Sequence, residues 1–455
     1  MSLFSLSQAA QWLHARHIGA DVDIDSVGSD TRCLTPGQLF VALQGPNFDG
    51  HGFAEQARQE GAAALMVQRE LDSPLPQLLV EDTRVALGRL AAAWRSTLRG
   101  RVVAVTGSNG KTTCKEMISA ILAQAGSVAA TRGNLNNDIG LPLTLLSCRD
   151  QDYLVLELGA NHPGEIAQLS AIARPDLSLI SNAGRAHLEG FGSLEGVARA
   201  KGEIISGTAR NGAFLLNADD RFAAMWRALA GKRRVLSFGL QQPADVSLEP
   251  GTQSLRLNGD GFHSACRLRT PRGSLDIELR LAGQHNLMNA LAAVAVAEAL
   301  AIDPEAIRAG LAGLRPVSGR LCPRRGVGGA RVIDDSYNAN PDSLAAALDL
   351  MRQLSGRRWL VLGDMGELGG EARSLHREIG RRARQAGIEH LWATGELSAE
   401  AVDGFGEGGR RFPDPEVLSG ELRSVLGDDD LVLVKGSRSA AMDRVSAAIS
   451  LGGGA

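Results

Sequence analysis

Aromatic residues make up only 4% of this chain, and its formal net charge at pH 7 is just -3. A nucleic-acid surface needs a basic face and rings on which bases stack, so neither feature favours that class of partner. Cysteine is scarce as well. Cys33, Cys114, Cys148, Cys266 and Cys322 are scattered, odd in number and without a C-x-x-C pair, so neither a disulfide framework nor a zinc site is indicated. Long apolar runs are missing. The most apolar window, residues 290–302, is alanine-rich, contains Glu298 and is too short to span a bilayer. The start, Met1-Ser2-Leu3-Phe4-Ser5, lacks the basic residues and apolar stretch of a secretory signal. These absences lead us to expect a cytoplasmic protein with no membrane insertion and no nucleic-acid partner.

What remains is the composition of an ordinary globular protein, with 44% hydrophobic and 22% charged residues. A length of 455 residues allows about three domains, each able to bury its own core.

The most informative stretch is residues 104–113, Ala-Val-Thr-Gly-Ser-Asn-Gly-Lys-Thr-Thr. A β-branched run (residues 101–105) precedes it, and a helix-compatible run from Cys114 to Ala125 follows. Strand, glycine turn, lysine, hydroxyl and helix form the layout of a phosphate cradle. Gly107 and Gly110 let backbone N–H groups close on phosphate oxygens. Lys111 supplies charge at the β/γ position, and the Thr112 hydroxyl can hold Mg²⁺. The strict pattern asks for glycine at position 105, where this chain has Val105. A nucleoside triphosphate is the expected ligand.

Three zones follow along the chain. In residues 1–85, a polar turn (Asp30, Thr31, Arg32), an apolar strand (residues 39–43) and a glycine-rich turn (Asp49, Gly50, His51, Gly52) would gather polar groups at one edge. Arg32 and the amides at Gly50 and Gly52 can hold a diphosphate, while the same residues also read as a surface turn with a structural arginine. In residues 86–313 the strand at 153–157 ends on Glu157, a candidate Mg²⁺ ligand beside the cradle. The strand at 177–181 delivers a loop carrying His187, and a helix over 194–206 carries Lys201, which by itself reads as a solvated lysine. Residues 274–281 alternate as a half-solvated antiparallel strand. Asn286 and Asn289, three apart at the start of a helix, share a face that can read a purine edge. Taken alone, Asn286 also reads as that helix's N-cap. Residues 314–455 read as a second α/β unit with strands near 332–333, 359–362, 391–393 and 431–434. Three of them run into the polar stretches 334–341, 363–369 and 435–438, which places one polar rim at the strand ends.

Two α/β units with one phosphate loop imply chemistry in the cleft between them, where Lys111 and Arg320 can neutralise phosphates. So much cationic character suits a reaction that brings two anions together. A carboxylate attacking a γ-phosphate needs both charges neutralised, whereas a hydrolase uses neutral water. That favours a carboxylate-activating ligase and leaves a nucleotide hydrolase open.

Thr106, Gly107, Ser108, Asn109, Gly110, Lys111, Thr112 and Thr113, with Glu157, His187, the His285-Asn286-x-x-Asn289 helix and Ser318-Gly319-Arg320, resemble the Mur ligases and the related folylpolyglutamate synthetases. Members of that family do not need glycine at position 105. The stretches 133–142, 335–341, 363–369 and 435–439 look like the branch that adds D-alanyl-D-alanine. The resemblance implies an α/β protein of three domains: a small UDP-binding domain (1–85), a central P-loop ATPase domain with a mostly parallel sheet (86–313) and a C-terminal Rossmann-like ligase domain (314–455). It implies a monomeric enzyme that joins D-alanyl-D-alanine to UDP-N-acetylmuramoyl-tripeptide through an acyl phosphate, consuming ATP with two Mg²⁺ ions. Thr31, Arg32, Asp49, Gly50 and His51 would hold the UDP, and Asn134, Asn136 and Asn137 the sugar-peptide. Thr112 and Glu157 would hold the first metal and His187 the second, with Lys111 on the γ-phosphate. Lys201 would be carbamylated. Asn286 and Asn289 would read adenine, Arg320 the γ-phosphate and Asp335 the nucleotide from across the cleft, with Tyr337 and Asn338 toward substrate. Residues 314–319 are the expected hinge. A sibling adding one amino acid and a regulatory protein with a decayed site are the competing readings; the second would lack a metal ligand, and Thr112, Glu157 and His187 are all present.

Overall fold

Short buried apolar runs, each ended by glycine or a polar turn, build the three large sheets of this chain. The computed structural model describes residues 2–258 and 261–451. Met1, which belongs to the N-terminal stretch read above, lies outside the described residues.

The first sheet has five strands in the order Arg16–Ile18, Gln77–Leu79, Ala64–Val67, Gln38–Val41, Ser26–Gly28. Only its first pair is antiparallel. Gln38–Val41 is buried at every residue, and the turns carrying Arg32 and His51 lie on either side of it in sequence.

The second sheet places seven parallel strands side by side: Val128–Ala130, Tyr153–Glu157, Arg101–Thr106, Leu177–Ile180, Ala213–Asn217, Arg234–Gly239 and Val246–Leu248. Antiparallel strands, Gly273–Leu279 among them, extend one edge, and that strand buries alternate residues as expected. The cradle strand Arg101–Thr106 lies between Tyr153–Glu157 and Leu177–Ile180, with Val105 opposite Glu157 and Thr106 opposite Ile180. Parallel register therefore brings the phosphate loop, Glu157 and the loop after Ile180 to one end of the sheet. The alanine-rich helix Gln284–Ala299 is buried at every position from Asn286 to Glu298 except Met288. It shares a core with Met117, Ile118 and Ile121 of the cradle helix. Among the described residues no helix is long and apolar enough to cross a membrane.

The third sheet runs Cys322–Arg325, Arg331–Asp335, Asp430–Lys435, Arg357–Leu362, His390–Thr394, Gly409–Phe412, and again only its first pair is antiparallel. The strands ending at Asp335, Lys435 and Leu362 are adjacent and parallel, so the three polar loops form one rim.

Two helices differ from expectation. The cradle helix is Lys111–Leu122, beginning at the lysine itself. The helix expected over 194–206 divides into Leu194–Gly202 and Ile204–Gly207. Between them, the Glu203 carboxylate accepts the Gly164 and Ala167 backbone N–H groups at 2.8 and 3.1 Å, capping the neighbouring helix.

Candidate active site

A cleft of about 1370 Å³ opens between the second and third sheets, lined by the phosphate loop, the 182–187 loop, the start of helix Gln284–Ala299 and the polar rim. Its floor depends on two glycines. Gly107 has φ 145°, and a Cβ there would lie 2.0 Å from Ser181 Oγ; Gly110 has φ 79°, and its Cβ would lie 2.4 Å from Asn289 Oδ1. Only glycine meets both demands. Gly110 is also the N-cap of the cradle helix and offers no side chain to it, which leaves first-turn N–H groups for an anion. Lys111 Nζ donates back to the Gly107 carbonyl at 2.7 Å, and desolvation lowers its pKa. Ser108, Asn109 and Thr113 line the cleft. Thr106 is buried behind it and donates to the Leu158 carbonyl at 2.8 Å, a role in holding the strand end.

Thr112 Oγ1 donates to Glu157 Oε2 at 2.8 Å, and Asn136 Nδ2 donates to Glu157 Oε1 at 2.8 Å. A hydroxyl, one buried carboxylate and an open cleft suit Mg²⁺, which takes one or two carboxylates and fills its shell with phosphate oxygens and water. His187 does not join them. Its Nδ1 contacts Glu367 Oε2 on the third-sheet rim, and that histidine holds the Glu367 carboxyl below its usual pKa. Among the described residues no three His, Cys, Asp or Glu side chains gather as a metal cluster.

Lys201 is not a solvated lysine. It is 1% exposed, with Nζ 3.5 Å from the Ala160 carbonyl and 5.2 Å from the centre of the Phe191 ring. Burial and then the charge of Lys111 pull its pKa down to about 7.

Asn286 is not an N-cap either, since Gly283 holds that position. Asn286 Nδ2 donates to the Ala282 carbonyl at 2.8 Å, Asn289 Nδ2 lies 3.3 Å from Asn286 Oδ1, and the Cys114 thiol donates to Asn289 Oδ1 at 3.2 Å. Both amides are thereby fixed at the cleft wall. The adjacent His285 is held neutral, its pKa lowered to about 4 by burial and by Lys435.

From the third unit, Arg320 Nη2 donates to Thr112 Oγ1 at 3.0 Å while its guanidinium lies 4.3 Å over the Tyr337 ring; among the described residues its buried Nε has no hydrogen-bond partner. Lys435 Nζ lies 2.5 Å from Asp335 Oδ2 and also donates to the Asn338 carbonyl at 3.0 Å. Burial raises the Asp335 pKa against the pull of Lys435. Asp335, Tyr337 and Asn338 all line the cleft.

Asn134, Asn136 and Asn137 line the cleft on its other side. Asn137 Oδ1 also accepts the Gly140 N–H at 2.8 Å, and Arg84 Nη2 ties the first unit to this loop through Asp138 Oδ1 at 2.7 Å. Thr31, Arg32, Asp49, Gly50 and His51 are not among the residues lining this cleft. Arg32 is exposed and pairs with Asp30 at 2.6 Å. His51 is buried: its Nε2 accepts the Gln68 N–H at 2.9 Å and its Nδ1 faces Asp49 Oδ1 at 2.5 Å. Both ring nitrogens are used within the protein, so the ring acts as a brace.

Sequence reasoning missed the contacts that join the second unit to the third. Asn340 Nδ2 donates to Asn109 Oδ1 on the phosphate loop at 2.7 Å. The Arg185 backbone N and Nε donate to the two Asp342 oxygens at 2.6 and 2.9 Å. Asn340-Pro341-Asp342 announces a helix start, but nothing local announces what that start will touch.

Three α/β units around a phosphate cradle, with acceptor groups on an opposing rim, define a nucleotide-dependent ligase architecture. Residues 23–95 match the Mur ligase family catalytic domain, residues 105–297 the Mur ligase middle domain, and residues 319–438 the Mur ligase glutamate ligase domain. The UDP-N-acetylmuramoyl-tripeptide–D-alanyl-D-alanine ligase of Escherichia coli (strain K12) is 46% identical over 452 residues, 99% of each chain. A crystal structure of MurF from Acinetobacter baumannii superposes with a TM-score of 0.91 at 36% identity, covering 97% of both chains. MurF ligase from Thermotoga maritima, solved in complex with ADP, gives 0.81 at 30% identity, over 92% of this chain and 96% of that one. The chain belongs to the Mur ligase family. It is an ATP-dependent amide ligase.

Proposed function

We propose that this enzyme joins D-alanyl-D-alanine to the terminal carboxylate of UDP-N-acetylmuramoyl-tripeptide, forming the UDP-linked pentapeptide of peptidoglycan synthesis. The observation that carries this is the end-to-end likeness to the Escherichia coli ligase, in a chain whose cradle, Glu157 and opposing rim are intact.

The tripeptide carboxylate attacks the γ-phosphorus, the bond to ADP breaks, and an acyl phosphate forms. The dipeptide amine then attacks the acyl carbon, loses a proton and expels phosphate. Thr112 and Glu157 would hold one Mg²⁺ ion and His187 a second, which would supply charge neutralisation at the triphosphate. Lys111 and Arg320 carry the positive charge that relieves repulsion between two anions. Asn286 and Asn289 present fixed amides to the adenine, and Asp335 holds Lys435 in place beside the nucleotide. Asn134, Asn136 and Asn137 face the sugar-peptide, Thr31, Arg32 and Gly50 the UDP, and Tyr337 and Asn338 the dipeptide. Lys201 carries a carbamate: a buried amine with a pKa of about 7 is neutral and nucleophilic toward CO₂ above that pH, and the product carboxylate reverses the local charge. Docking of the third unit keeps water from the acyl phosphate. The domains divide near residues 85 and 313, and the enzyme works as a cytoplasmic monomer.

Phosphate release from ATP, measured with and without each substrate, tests the reading. Release that requires both the tripeptide and D-alanyl-D-alanine, with a product heavier by one dipeptide, is expected. Efficient use of single amino acids instead would assign a different acceptor.

A further inference from the structure

The stretch Gly363-Asp364-Met365-Gly366-Glu367-Leu368-Gly369 has one feature that the reaction above leaves unused. Glu367 has φ 60°, in the left-handed region, and its carboxylate reaches across the cleft to His187, itself at φ 56°. Two non-glycine residues in a strained conformation thus meet side chain to side chain, each from a different unit. The loop holds Glu367 in this conformation from both sides. Met365 and Leu368 are buried, and the Met365 N–H donates to Nε2 of buried His376 at 3.0 Å. Glycine would adopt the same φ without strain, and the loop already has glycine at 363, 366 and 369. Strain that persists under such constraint points to a use for the side chain. Among the described residues the buried His187 Nδ1 makes no hydrogen bond, and the Glu367 carboxylate is the charged group that contacts it.

We infer that Glu367 is a positioning residue that orients His187 across the domain boundary. A carboxylate facing Nδ1 favours the tautomer that keeps its proton there, which leaves Nε2 as the ligating nitrogen and limits rotation of the ring. Because Glu367 belongs to the third unit, His187 is set for a cation only when that unit is docked, so docking and completion of the metal site become one event. The inference rests on the role of His187 in the proposed reaction.

The test compares Glu367→Gly and Glu367→Gln with the wild-type enzyme. Mn²⁺ binding in the presence of ADP is read by electron paramagnetic resonance, alongside melting temperature and turnover. Glu367→Gly releases the backbone strain, so its Tm should rise by about 2 °C. It loses the carboxylate, so its Mn²⁺ affinity should fall at least about tenfold, and kcat with it. Glu367→Gln keeps an acceptor for the Nδ1 proton and should hold Mn²⁺ within about threefold of wild type. Unchanged Mn²⁺ affinity in Glu367→Gly overturns the inference, as does an equal loss in both variants. A lower Tm in Glu367→Gly also overturns it, because the side chain would then be structural support. Wild-type enzyme that makes no pentapeptide would defeat the proposed reaction, while the Mn²⁺ comparison would still judge Glu367.

Discussion

Lys435 and Asp335, from the ends of adjacent parallel strands, form an ion pair 2.5 Å long that is 3% and 13% exposed and lines the cleft. Breaking a buried pair strands a charge, whereas removing both partners together does not. Lys435→Met should therefore destabilise the fold by about 3 kcal/mol, as should Asp335→Asn to a lesser degree. The double variant should cost less than the sum. Urea unfolding of the four proteins completes the cycle.

The parallel core was legible because its strands are short apolar runs punctuated by glycine and polar turns. The cradle was legible because strand, turn, lysine and helix follow one another directly. Glu157 followed from lying at the end of the neighbouring strand. Lys201 was misread on local grounds: a helix lysine is usually solvated, and only packing against Phe191 and Ala160 shows otherwise. His51 shows the opposite case. Its backbone partner at Gln68 comes from another strand-end loop, so a polar turn residue became a buried brace. The contacts of Asn340 with Asn109 and of Asp342 with Arg185 link residues 231 and 157 positions apart, a separation at which periodicity carries no signal.

If the buried amine of Lys201 is carbamylated as proposed, activity should depend on pH and CO₂. With a folded pKa of about 7, the amine is protonated at pH 6 and neutral at pH 8. Enzyme stripped of CO₂ at pH 6 should lose activity and regain it when bicarbonate is added at pH 8, with a carbamate signal appearing from ¹³C-labelled bicarbonate. Stability follows the same sign: between about pH 7 and the ordinary lysine value near 10.4, the unfolded chain holds a proton that the folded one lacks. This group therefore adds stability as pH rises through that window.

Arg185 and Asp342 hold the third unit against the 182–187 loop through two hydrogen bonds. Both side chains are about one-third exposed, so solvent screens the pair and its worth is about 1 kcal/mol. Asp342→Ala should shift the docked-to-undocked balance about fivefold and let water reach the acyl phosphate. The ratio of phosphate released to pentapeptide formed should rise above one, with little change in the Tm. Arg185→Ala keeps the backbone bond to Asp342 but loses the side chain's contacts to Asp342 and Glu378, so it should raise the ratio similarly.

The glycine floor of the cleft gives a sharper expectation. Gly107→Ala sets a Cβ 2.0 Å from Ser181 Oγ, and Gly110→Ala sets one 2.4 Å from Asn289 Oδ1. Both also force alanine into a positive φ. Each variant should bind ADP at least about tenfold more weakly, a loss near 1.4 kcal/mol, as read by calorimetry with ADP and Mg²⁺.

The central claim is that the tripeptide carboxylate attacks the γ-phosphate. Tripeptide substrate labelled with ¹⁸O in its terminal carboxylate, turned over with ATP and D-alanyl-D-alanine, tests this directly by mass spectrometry of the products. Carboxylate attack puts one ¹⁸O in each released phosphate, together with a pentapeptide heavier by one dipeptide. Unlabelled phosphate accompanying the same product would contradict it.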